Sequence, residues 1–381
     1  MLNHKTGIKK IIEKRTERGS SYLDVLKSIY GADPREVWEV YKKYNNIGVK
    51  KIGITNYYLK YPEPHPAYSQ WRITKDSTKI ILSKILEKKY KNVCFLGCPI
   101  LGIEFSKLKQ GNVKILDIDK YVLDEASKFA DVVIYNISGS VPTKLINKFE
   151  CVVCDPPWYY DDISLFVKRA ADLVKTGGTI YLSLPGILTK PSIIEERLKF
   201  QKLLSNLKLI ITELQSIVDY EVPPFEYMAY RDIPAFSGEV WRKGDWVKIK
   251  KSGNANTKIS NIYHAQDWDE YSYGKKRIFI KNKKETDKYE KPKIISLIQG
   301  NILNSVSKRN PIVKKIDIWT TRNAILNIKT GWSVIKTIFE NIEKNNTEII
   351  NAVSKKYHLN TKKVCLECTD TIKLLKKIIT I

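Results

Sequence analysis

No stretch of this 381-residue chain holds the run of about 18 apolar residues that a membrane-crossing helix needs, and its opening, Met1-Leu2-Asn3-His4-Lys5, lacks the apolar core of a secretory leader. Both absences predict a cytoplasmic protein with no membrane partner. Acid is in deficit: 41 Asp and Glu face 66 Lys and Arg, for a net charge of +25. Such an excess predicts an anionic partner, nucleic acid first, although a genome biased toward lysine and isoleucine is a competing source of it. Cysteine is sparse, at six residues: Cys94, Cys98, Cys151, Cys154, Cys365 and Cys368. Two Cys-x-x-Cys pairs invite a zinc reading. The pair at Cys151 and Cys154 sits inside an apolar run, where thiols behave as small hydrophobes. The pair at Cys365 and Cys368 would need partners more than two hundred residues upstream. The sequence therefore predicts no metal centre and, in a reducing compartment, no disulfide. Internal repeats are also missing.

What is present is a globular composition, 43% hydrophobic with eight Trp, long enough for two or three domains at about 150 residues each. Residues 1–65 read as a small helical module: a basic helix over Ile8–Glu17, an amphipathic one over Ser21–Tyr30, a turn at Gly31-Ala32-Asp33-Pro34, and a third helix carrying Val37, Trp38, Val40 and Tyr41. With a wing strand over Ile52–Leu59 this fits a winged-helix-like module, suited equally to a duplex and to a protein partner or second copy of the chain. Tyr61–Pro66, with three prolines, reads as an extended linker.

From about Trp71 to Ile217, strands alternate with helices, the rhythm of a parallel sheet. Val93–Leu96 is a first strand, followed by a turn bearing Gly97 and Gly102 and a helix over Ile103–Leu108. Val113–Leu116 is a second strand ending at Asp117-Ile118-Asp119, twenty residues after Gly97. An acid there can accept the ribose hydroxyls of a nucleoside, Asp117 in the usual place and Asp119 as alternate. Asn136, Ser138 and Ser140 follow a third strand, Val132–Tyr135, where base contacts are common. The chain is organised around the fourth strand and its exit, Cys151-Val152-Val153-Cys154-Asp155-Pro156-Pro157-Trp158. Two prolines cannot continue a strand, so Asp155–Trp158 is a loop at its carboxyl end, where open α/β sheets bind ligands. Asp155 offers an acceptor carboxylate, Pro156 and Pro157 offer carbonyls, and Trp158 offers a flat face for a planar group.

Asp155-Pro156-Pro157-Trp158 resembles the catalytic loop of S-adenosylmethionine-dependent amino-methyltransferases. The glycine-bearing turn, the acidic strand end and the Lys175-Thr176-Gly177-Gly178 turn before a fifth strand arrive in the order of the Rossmann-like methyltransferase fold. That resemblance implies a catalytic domain over 71–217, with Asp155, Pro156, Pro157 and Trp158 as catalytic residues. It also implies an S-adenosyl-L-methionine site built from Gly97, Gly102, Asp117, Asp119 and Asn136. The chain is also similar to branched-polyamine synthases, which begin with a winged-helix module, enter the sheet through a segment like Gln70–Thr74 and share the Leu116-Asp117-Ile118-Asp119 run and an Asp-Pro-Pro loop. This second resemblance implies aminopropyl transfer from decarboxylated S-adenosylmethionine. The chain departs from it at Cys98-Pro99-Ile100, where those enzymes carry an acidic cluster.

Residues 218–381 read as a basic α+β region. Glu239–Ile249 looks like a hairpin interleaving aromatic and basic residues, Lys275–Lys293 like an exposed basic stretch, and Ile316–Asn323 like a strand and polar turn able to enter a site. Three functions remain: methyl transfer to an exocyclic amino nitrogen of a nucleic-acid base, aminopropyl transfer to a polyamine, and a methyltransferase-fold subunit that binds nucleic acid without catalysis.

Overall fold

Short β-branched runs flanked by glycine, proline and acid become the strands of a seven-stranded sheet in the order β3-β2-β1-β4-β5-β7-β6. The computed structural model describes residues 4–29, 31–44, 61–238, 240–254, 268–283 and 288–380. The chain divides into two units, the first comprising 1–58, 71–222 and 233–265, the second 59–70, 223–232 and 266–381.

The first unit opens with α1 (His4–Glu17), α2 (Tyr22–Ser28) and α3 (Pro34–Tyr41). Ser21 and Asp24 form a reciprocal capping box on α2, and Pro34 stands at the start of α3 behind the Asp33 cap. Ile8, Ile12, Val25, Leu26, Ile29, Val37 and Tyr41 are buried, and the Tyr22 hydroxyl donates to the Pro34 carbonyl at 2.7 Å. The wing expected over Ile52–Leu59 lies outside the described residues.

Next come α4 (Lys75–Leu86), β1 (Asn92–Leu96), α5 (Pro99–Ser106), β2 (Asn112–Asp117), α6 (Lys120–Ala126), β3 (Asp131–Ile134), β4 (Phe149–Cys154), α7 (Tyr160–Leu173), β5 (Val174–Pro185), α8 (Ile193–Asn206) and β6 (Leu209–Asp219). β7 (Lys243–Lys251) returns later in the chain and runs antiparallel between β5 and β6, while the pairs from β3 to β5 are parallel. The α/β fold expected from sequence is therefore present, as a mostly parallel, Rossmann-like sheet. Alternate residues of four strands, Cys94 and Leu96, Val152 and Cys154, Ile180, Leu182 and Leu184, Val247 and Ile249, face one core with Phe166, Val167 and Ala170 of α7 and Phe200 and Leu204 of α8. Each such aliphatic side chain contributes about 1.5–3 kcal/mol by leaving water.

β7 corrects the hairpin reading of Glu239–Ile249. A strand hydrogen-bonded on both edges shows the same interleaving of apolar and basic residues, and its one aromatic is buried: Trp246 stacks on Tyr181 at 5.7 Å and 13°. Its last residue, Lys251, is also buried, with all three ammonium donors used on Asn147 Oδ1 (2.8 Å) and the carbonyls of Ala171 (2.7 Å) and Val174 (2.9 Å) at the end of α7.

The second unit holds α9 (Pro224–Ala229), β8 (Trp268–Tyr273), β9 (Lys276–Lys281), β10 (Lys293–Ile295), β11 (Ile318–Thr320), β12 (Ile325–Thr330), α10 (Trp332–Glu340), α11 (Asn346–Tyr357) and α12 (Thr361–Thr380). Its five strands form an antiparallel sheet, β10-β12-β11-β9-β8, whose apolar side packs with the last three helices. The exposed stretch expected at Lys275–Lys293 contains, instead, an interior strand with Ile278, Phe279 and Ile280 fully buried. The Ile316–Asn323 turn is also internal: Thr321 and Asn323 are fully buried, and Asn323 bonds the Trp319 indole and the Leu303 carbonyl. Nor is the proline-rich segment a solvated linker. Glu63 accepts from Thr321 (2.7 Å) and Arg322 (2.6 Å), and His65 Nε2 meets the Trp319 carbonyl at 3.1 Å. Proline kept the backbone extended, as expected, but its intervening polar side chains are paired inside this unit. Cys368 lies in the same core while Cys365 is exposed.

Lys251→Met tests the helix-end lock. Loss of its three bonds should lower stability by about 2 kcal/mol, read as a shift in the urea midpoint at unchanged slope.

Candidate active site

Register lines up one row of residues across the carboxyl ends of four adjacent strands. Leu116, Leu96, Cys154 and Leu182 are mutual neighbours on β2, β1, β4 and β5. The next residue on each strand is therefore Asp117, Gly97, Asp155 and Ser183. β1 and β4 adjoin at the point where strand order reverses, the place where open α/β sheets form their crevice.

Asp155 leaves β4 into this row. Its carboxylate accepts the Tyr220 hydroxyl at 2.6 Å, and that hydroxyl lies 2.5 Å from Ser183 Oγ. Tyr220 is itself pinned beyond the end of β6 by a bridge to Ile73 and by its N–H, which donates to the Arg242 carbonyl at 3.0 Å. Loss of water pushes Asp155 up to about 6, against the pull of the Tyr220 hydrogen bond, the Arg242 charge and the Ser183 hydrogen bond. Burial, then the Asp155 charge, hold the Tyr220 phenol well above its ordinary value, so it stays a donor.

Trp158 closes one side of the site. Its indole stands edge-on to Tyr220 (5.3 Å, 88°) and against Gly244, where an added Cβ would come within 2.7 Å of the ring. Its carbonyl accepts from Lys190 at 2.8 Å, and Lys190 is paired with Glu196. The ring face is not bare: the Arg242 guanidinium lies 4.0 Å from it and 4.1 Å from Trp71. Of the two proline carbonyls, that of Pro157 is taken by the Tyr159 N–H at 2.8 Å, whereas that of Pro156 accepts no hydrogen bond among the described residues. The expected pair of carbonyl acceptors is thus reduced to Pro156.

On the nucleoside side, Gly97 has φ +69°, a conformation that favours glycine, and a Cβ there would strike Phe166 at 2.4 Å. Gly102 is not in the turn. The helix starts at Pro99, so Gly102 lies inside α5, where a Cβ would meet Ile115 and Phe95, and its smallness serves helix-to-strand packing. Asp117 ends β2 and accepts the Asp119 N–H at 2.8 Å. Asp119, fully buried, caps α6 through the Tyr121 and Val122 amides. Between the two acids, Asp117 is therefore the one on the row. Asn136 is exposed after β3 and accepts the Ser138 N–H within its own turn, in a loop braced by Arg169 on the Ile137 and Ser138 carbonyls. Sequence reasoning missed Ser183, Tyr220, Trp71 and Arg242. Only Ser183 carried a local signal, a lone hydroxyl in the run Leu182-Ser183-Leu184.

The carboxylate titration checks this geometry. Asp155 gains its charge as pH rises through about 6. Tyr220→Phe removes a donor that favours the charged form, so the midpoint read by carboxyl-carbon NMR should move upward.

The profile of the branched-chain polyamine synthase A C-terminal domain matches residues 55–292. An uncharacterized protein of Methanocaldococcus jannaschii is 28% identical over 130 residues, 32% of this chain, which thus spans 30% of the length of that curated relative. The branched-chain polyamine synthase of Thermus thermophilus, solved with N4-aminopropylspermidine and 5'-methylthioadenosine, superposes with a TM-score of 0.53 at 15% identity, over 69% of this chain and 98% of that one. A mutein of the same synthase gives 0.50 at 15% identity, over 68% and 98%. With the profile covering more than half of its residues, the chain belongs to the branched-chain polyamine synthase A C-terminal domain family.

Proposed function

We propose that this protein transfers a group from an S-adenosyl donor to an amino nitrogen held at Asp155, and that the group is the methyl of S-adenosyl-L-methionine and the acceptor an exocyclic amine of a nucleic-acid base. The observation that carries the reading is the hydrogen-bonded set Asp155, Tyr220 and Ser183 at the switch point, one strand away from the Gly97 turn. The residues fit an adenosyl ligand: the glycine turn and Asp117 stand on neighbouring strand ends, in the positions for nucleoside backbone contact and ribose hydroxyls. Such a donor supplies an electrophilic carbon beside its sulfonium.

The remaining work belongs to the chain. Asp155, charged at neutral pH, and the Pro156 carbonyl take the two amine hydrogens, turning the nitrogen lone pair toward the donor. Tyr220 and Ser183 fix the carboxylate rotamer, and Trp158 excludes water from one side. Orientation and desolvation are the contributions a site of this kind makes. A neutral amine suits it because no proton has to leave before attack. The missing acidic cluster at Cys98-Pro99-Ile100 and the +25 charge both favour an acceptor carried on an anion.

Aminopropyl transfer from decarboxylated S-adenosylmethionine to a polyamine is the second reading, favoured by family membership. Product mass separates them: a gain of about 14 is methyl and about 57 is aminopropyl, the chemistry being set by which donor is oriented. Asp155→Asn should lower transfer on the order of 10²–10³-fold while calorimetry shows donor affinity retained. Undiminished transfer in that variant would falsify the role of Asp155.

A further inference from the structure

We propose that this chain forms a two-fold dimer through the outer edge of β6, an apolar face that receives a second copy of itself. The inference stands apart from the chemistry at Asp155.

Among the described residues, β6 ends the seven-stranded sheet and pairs only with β7. It is eleven residues long and contains no Lys or Arg, in a chain where 66 of 381 residues are one or the other. A long edge strand is ordinarily blunted by charge, lysine above all, because it invites another strand. The opposite edge obeys that rule: β3 has four residues, and its Asp131 is paired with Lys114 of β2. β6 carries aliphatics instead. Ile210 is 57% exposed, Leu214 51% and Ile211 36%. Ile211 and Leu214 lie opposite Ile249 and Val247 of β7, so they extend the face that packs against α7 and α8 beyond the last paired strand. α8 packs on β6 and adds Ile194 and Leu198, exposed one turn apart. Ile210 lies opposite Lys250 and turns to the other face, where α4 brings the exposed Ile80, one turn before the Lys84 that reaches Glu213. Six exposed aliphatics thus gather around one sheet edge.

The backbone limits how that edge can be covered. The register with β7 shifts at Thr212 and again at Ser216-Ile217, so bulges break the outer edge into short runs. Such an edge discourages open-ended strand addition and leaves its side chains to make the contact.

Charge selects the occupant. Both acids of β6 are matched inside their own subunit, Glu213 by Lys84 and Lys248 and Asp219 by Lys243. The strand therefore offers no cation to a nucleic acid and no unmatched acid to a basic partner. Two copies at +25 each repel over most of their surface and approach best where charge is absent or internally paired, as it is here. A two-fold axis across β6 lays the same patch on itself and closes the assembly at two copies.

The test reads the mass of the full chain by sedimentation equilibrium at about 10 μM, where a micromolar contact is populated. The parent should run at twice the chain mass. A monomeric parent, the face being left to some other protein, overturns the proposal. Leu214→Lys should weaken association on the order of a hundredfold and give monomer, and Ile210→Lys on the other face should act in the same direction. Ile134→Lys, at the exposed end of β3, should leave the dimer intact. A dimer that survives both β6 substitutions, or one that Ile134→Lys abolishes equally, places the contact elsewhere and sinks the assignment. Should the β6 variants melt below the assay temperature, Leu198→Lys decides, because lysine is a good helix former at an exposed helix position: at least tenfold weaker association supports the β6 face, and unchanged association refutes it.

Discussion

The hydrogen bond from Tyr220 to Asp155 is the constraint on which the rest of the first unit depends. A carboxylate at the end of a buried strand has little water to solvate it, so its charge survives only if donors and a cation are brought to it. The donors come from far along the chain. Ser183 arrives on β5, adjacent to β4, while Tyr220 requires β6 to end beside Ile73 with its last residues in register with β7. Asp219 pairs with Lys243 and Tyr220 donates to the Arg242 carbonyl, so slipping β7 by one residue would move both Tyr220 and Arg242. Gly244 leaves the hollow that the Trp158 ring fills. The antiparallel end of the sheet thus completes the site that the parallel end begins. It does so against stability: Asp155 holds its proton more tightly folded than unfolded, so its contribution to stability falls as pH rises from about 4 toward about 6. The packing of the strands offsets that cost.

Charge acts here at two ranges that the net figure blurs. The +25 excess creates a field that draws anions from a distance and weakens with salt. Several cations, however, face inward. Lys251 locks the end of α7, and in the second unit Arg277, almost wholly buried, pairs with Glu270 and reaches the Glu63 carbonyl. These groups hold the fold and add nothing at the surface. Arg242 is a third kind, a cation held against the Trp71 and Trp158 rings near Asp155, where its effect is set by contact geometry and not by the sum over the chain.

Strands β1, β2 and β4 were legible because each is followed by residues that stop it: Gly97, Asp119 capping the next helix, and Asp155 before two prolines. Period and punctuation are local properties. The rest of the site is not local. Tyr220 lies 65 residues from the carboxylate it serves, and nothing in Val218-Asp219-Tyr220-Glu221 marks it. β7 was misread because a strand paired on both edges alternates apolar and basic residues much as an exposed hairpin does. Gly102 was misplaced because Pro99 starts a helix more readily than it prolongs a turn. The proline-rich segment around Glu63 was misjudged for a different reason: composition reports backbone stiffness but is silent on whether the polar residues between prolines find partners.

Family membership and site chemistry carry different information about this chain. The family constrains the sheet and the crevice at β1 and β4; a superposition at 15% identity adds the fold and no more. The chemistry around Asp155 is set by a few side chains, Ser183, Tyr220 and Arg242 among them. Against the burial that raises the proton affinity of Asp155, the Tyr220 hydrogen bond, then the Arg242 charge and the Ser183 hydrogen bond pull it down, so the charge of this carboxylate depends on groups that three other segments of the chain deliver.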